Sequence, residues 1–76
     1  MTITALSKTI DQARRNYWAV RAIDDDCLIF QDRHDSADWI QVTFDNYSPS
    51  NKFVSAVHKD GTVFGSYAAV RKACGC

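Results

Sequence analysis

A single change of hydrophobic period near residue 17 constrains this chain more than any other feature. Upstream of it, Ile3, Leu6, Ile10, Ala13 and Tyr17 recur at intervals of three and four, which lines one face of a helix. Lys8, Asp11, Gln12, Arg14 and Arg15 fall between them as the wet face, with Arg14 and Arg15 where a helix dipole is negative. Thr2 or Thr4 is placed to cap the start, and the helix is expected to end near Asn16. Downstream, strand formers take over. Trp18–Ile23 and Cys27–Asp32 are separated by Asp24-Asp25-Asp26, and Arg33–Ala37 reads as a loop. Trp39–Phe44 alternates, with Ile40, Val42 and Phe44 inward and Trp39, Gln41 and Thr43 outward. The segment from Asn46 to Asn51 holds the only proline and reads as the longest loop.

The last third predicts a hairpin and a second helix. Asp60-Gly61 is the pair a two-residue type I′ turn favours. Such a turn would pair His58 with Val63 and Val57 with Phe64. Val57 and Phe64 would then share one face, and Val54, Ala56, His58 and Val63 the other. Apolar residues occur on both, so the pattern does not say which face is the core. Ser66 suits an N-cap for a helix over Tyr67–Cys74, and Gly75 the left-handed position past its end. With short connections favouring antiparallel neighbours, the expected fold class is α+β: a meander plus C-terminal hairpin making about five antiparallel strands, an N-terminal helix packed on one face, and a short C-terminal helix. Its 76 residues form one small domain. A chain of this size buries only about 60% of its unfolded surface, so a partner, or a homodimer, would add stability.

Composition removes several function classes. No run approaches the roughly 18 apolar residues of a membrane helix, and the first eight residues do not read as a signal peptide. With three cysteines (Cys27, Cys74 and Cys76) there is no spread, even-numbered disulfide framework, so a reduced, cytoplasmic protein with no membrane partner is expected. Nucleophilic catalysis would need Cys27 with His34 or His58, but Cys27 sits in an expected strand and reads as a small apolar residue. Zinc would need more than Cys74-Gly75-Cys76 at a frayed tail. The run Asp24-Asp25-Asp26 is followed by Cys27, Leu28 and Ile29, where a calcium loop needs glycine and further oxygens. No enzyme, metal or cofactor is implied.

Charge gives the strongest functional lead. The net charge is zero, from nine Lys and Arg against nine acids, and every acid is Asp. Along the chain the balance is +3 over residues 1–23, −6 over 24–45 and +3 over 46–76. Asp24, Asp25, Asp26, Asp32, Asp35 and Asp38, with Trp39 and Tyr47 as anchors, are the candidate partner-binding residues. Short carboxylates held close to the backbone would present a fixed negative patch to a basic surface, and Trp is enriched at binding hot spots. The expected function is a non-enzymatic protein-binding module, a small inhibitor or modulator docking an acidic face on a basic, nucleic-acid-handling partner. In size and charge segregation it resembles, at the level of class alone, small phage or mobile-element proteins that block host defences such as CRISPR complexes. The alternative is a nucleic-acid-binding accessory domain using the basic and aromatic segment of Arg14, Arg15, Trp18 and Arg21.

Overall fold

The computed structural model describes residues 5–16, 18–35, 37–48 and 51–74. In chain order the elements are α1 (Ala5–Arg15), β1 (Trp18–Asp24), β2 (Cys27–Asp32), β3 (Trp39–Asp45), β4 (Lys52–His58), β5 (Val63–Phe64) and α2 (Tyr67–Ala73). The strands pair in sequence order, each antiparallel to the next. The fold is α+β, with a five-stranded antiparallel meander and both helices on one of its faces. Ile3, Tyr17, the Thr2 or Thr4 cap, Gly75 and Cys76 lie outside the described residues.

Strand registry fixes which face is the core. Val20 pairs with Phe30, Phe30 with Ile40, Leu28 with Val42, and Val42 with Ala56. These side chains share one side with Trp18, Phe44 and Phe64, and pack with Leu6 and Ala13 of α1 and Tyr67 and Val70 of α2. Burial of this stripe is what drives α1 onto the sheet, since an isolated helix of 11 residues is marginal in water. Ser66 caps α2 by accepting a hydrogen bond from the Ala69 N–H at 3.2 Å.

Two expectations need correction. The β4–β5 connection is not a two-residue type I′ turn. Gly61 N–H donates to the His58 carbonyl and His58 N–H to the Thr62 carbonyl, leaving Lys59, Asp60 and Gly61 as a three-residue loop. Only Gly61 in it has positive φ, at 92°, as a type I turn followed by a left-handed glycine requires. The Asp60 carboxylate accepts from the Thr62 N–H at 2.8 Å and holds this form. Registry therefore moves by one residue: Val57 pairs with Val63, and Ala56 with Phe64. Phe64 joins Ala56 on the core face, and Val57 and Val63 go to the other. The second correction concerns Cys74. It is not part of a loose tail but 1% exposed within the core cluster, because α2 packs beside α1 and carries its own C-terminal end inward.

Candidate functional site: the open sheet face and its acidic ends

Among the described residues, no element packs over the face of the sheet opposite the helices. Strand alternation assigns to it Ala19 and Arg21 of β1, Cys27, Ile29 and Gln31 of β2, Trp39, Gln41 and Thr43 of β3, Ser55 and Val57 of β4, and Val63 of β5. Arg21 is the one charged side chain in that set, and the same alternation adds Asp45 with its register partner Lys52 at the end of β3. Across the strands, Arg21, Ile29, Gln41, Val57 and Val63 form one row, and Ala19, Gln31 and Trp39 the next. Arg21, Ile29, Gln31, Trp39 and Gln41 surround a hollow of about 210 Å³. Val57 and Val63 are exposed, and so is Ile23 in the bulge where β1 slips against β2. Cys27 is buried on this side, receiving the Gln41 Nε2 at 3.3 Å and the Thr43 hydroxyl at 3.8 Å on its sulfur. His58 lies on the core side near the far end of the sheet, so the structure does not join Cys27 and His58 in a dyad. Among the described residues no three His, Cys or Asp side chains are grouped to hold a metal ion.

The candidate acidic residues divide between the two ends of the sheet. Asp24, Asp25 and Asp26 lie at the β1–β2 turn, beside the end of β3, where the Asp26 carbonyl accepts from Phe44 N–H at 2.9 Å. Tyr47, 98% exposed, belongs to this end with Asp45. Asp32, Asp35 and Asp38 lie at the other end, with Trp39 next to them and Asp60 on the neighbouring turn. The six residues of β2 separate the groups by about 17 Å.

Local chemistry explains the placing of most of them. Asp24 accepts from Asp25 N–H, Asp32 from His34 and Asp35 N–H, Asp35 from Ala37 N–H, and Asp45 from Tyr47 N–H, at 2.8–3.3 Å. These short side chains close turns by bonding backbone one to three residues ahead. At the Trp39 end they also clamp two loops together. The His58 Nε2 lies 2.7 Å from Asp38 Oδ1, and its Nδ1 3.1 Å from Asp60 Oδ1. Both contacts are satisfied together only when each ring nitrogen carries a proton. The Asp60 carboxyl is held down at about 2, from an ordinary 3.8, by the Thr62 hydroxyl and N–H and by His58.

The basic and aromatic segment does not form one surface. Trp18 is 6% exposed in the core and has no free face for a base. Arg14 and Arg15 end α1 on the helical layer, whereas Arg21 lies on the open face beneath it. Charge is instead divided by layer. The helices carry Lys8, Arg14, Arg15, Arg71 and Lys72 against Asp11 alone, while the strands and turns carry the other eight Asp against Arg21, Arg33, Lys52 and Lys59. Sequence reasoning missed the His58 clamp and Thr9. Thr9 is fully buried in α1, three residues after Leu6 and four before Ala13, so the same helical spacing reaches it.

No protein-family model, curated protein or solved structure matches the chain.

Proposed function

We propose that this protein is a non-enzymatic binding module that docks its open sheet face on a protein partner with a basic surface. The observation that carries the reading is the open face itself: one cation, Arg21, across its middle, a hollow beside Trp39, and Asp-bearing turns at both ends of its strands. An apolar centre within a charged rim is the anatomy of a protein interface, and a half-buried Trp beside a hollow is the kind of anchor that dominates binding energy. The partner's sign follows from the sheet layer, where Asp outnumbers Lys and Arg two to one. That layer would repel a phosphate backbone and attract the Lys and Arg surfaces that handle one. Occlusion of such a surface makes the module an inhibitor or modulator, of the phage or mobile-element kind.

The test compares capture by the full chain with capture by Trp39→Ala and by the triple reversal of Asp24, Asp25 and Asp26 to Lys. A basic protein retained by the parent, lost with Trp39→Ala and weakened by the reversal is the expected result. Capture indifferent to Trp39, or saturable DNA or RNA binding with a steep salt slope, would overturn the reading.

A further inference from the structure

The opposite layer carries a separate feature. Lys8, Asp11, Gln12 and Arg15 stand at i, i+3, i+4 and i+7 of α1 and share one helix face. With Arg71 of α2 they line a hollow of about 310 Å³ between the helices. Arg71 is fixed there by neutral acceptors. Its Nη1 donates to the hydroxyl of buried Thr9 at 3.0 Å and to the Ala5 carbonyl at 3.3 Å, and the Thr9 hydroxyl itself donates to Ala5 O at 2.8 Å. Among the described residues, the ion pairs are those of His58 with Asp38 and Asp60, and none involves Lys8, Arg15 or Arg71. Three positive charges thus line one hollow with the single carboxylate of Asp11, none of them in an ion pair among the described residues, and the Arg71 guanidinium is fixed through its Nη1. A planar fork oriented in this way suits the oxygens of a phosphate group.

We infer that this hollow binds the phosphate monoester of a small hydroxylated molecule, of the sugar-phosphate or nucleoside-phosphate class. Lys8, Arg15 and Arg71 take the phosphate. Asp11, the one acid on the helical layer, accepts from a ligand hydroxyl, and Gln12 lies beside it. A volume near the lower end for small-molecule sites fits a ligand of that size. Asp11 within the cations, and eight Asp in the layer below, oppose a tracking polyanion. This site lies on the other layer from the docking face and does not depend on it.

The test is an amide-resolved NMR titration of the full chain in phosphate-free buffer with ribose 5-phosphate, inorganic phosphate, ribose and a short single-stranded oligonucleotide. Ribose 5-phosphate is expected to give saturable shifts confined to Ala5–Arg15 and Tyr67–Ala73, tighter than inorganic phosphate, with none from ribose. Lys8→Ala and Arg15→Ala, at exposed positions that leave the fold intact, each weaken it about tenfold, and Asp11→Asn removes the preference for the sugar ester. The inference is overturned by no saturation up to about 10 mM of either phosphate, by equal affinity for both, by indifference to Lys8→Ala and Arg15→Ala, or by tightest binding of the oligonucleotide.

Discussion

A carboxylate one methylene shorter than glutamate's can reach a backbone N–H one to three residues ahead, and five of the nine Asp residues here do so. The absence of Glu is therefore a property of the turns before it is a property of any partner. Asp32→Glu should lower stability by about 1 kcal/mol in denaturant melts, because the longer side chain loses the His34 and Asp35 amides. Asp60 gives a pH signature. Its carboxyl is lowered in the folded state, so its contribution is complete above an ordinary carboxyl pKa and is lost as pH falls from about 4 through 2. Asp60→Asn should flatten that part of the stability–pH curve. Tyr67 has the opposite sign. Burial raises its phenol to about 12, and its hydroxyl donates to Asn51 O at 2.7 Å. Its contribution is full below pH 10 and is lost as pH rises from 10 through 12. Tyr67→Phe should cost about 1 kcal/mol at neutral pH and remove the alkaline limb. At this scale the sequence disclosed which residues are turn formers. It did not disclose the Asp38–His58–Asp60 clamp, because the two loops it joins meet only after the strands pair.

The elements themselves were legible where one periodicity ran undisturbed. The α1 stripe, the alternation of β3 and the Ser66 cap are local patterns, and each element ends within a residue or two of its expected place. The β4–β5 hairpin was not, because Asp-Gly serves two loop types that differ by one residue in length, and one residue inverts every side chain after it. Gly61→Ala separates the two positions that glycine occupies nearby. With φ at 92° and nothing within 4 Å of a new Cβ, it should cost about 1–2 kcal/mol from backbone strain alone. Gly65→Ala, also in open space but without that φ, should be close to neutral. Thermal melts of the two variants check the contrast. Cys74 illustrates a different limit: a C-terminal cysteine reads as exposed until the packing of α2 on α1 is known.

At the scale of the whole molecule, a net charge of zero separates into a basic helical layer and an acidic sheet layer. The division by thirds along the sequence pointed to segregation but not to its geometry. Registry sends Asp24–Asp26 and Asp32–Asp38 to opposite ends of the sheet, so the acids sit in the turns at both ends of the strands, and the middle of the open face holds Arg21, Ile29, Trp39, Gln41 and Val57. Site-specific photo-crosslinking in cells tests the docking claim most directly, with a photoreactive side chain placed at Val57 on the open face or at Lys72 on the helical layer. A discrete adduct to a basic protein from position 57, absent from position 72 and lost when Trp39→Ala is added, is the predicted result. An adduct only from position 72, or one from position 57 whose mass is that of two copies of this chain, would contradict it.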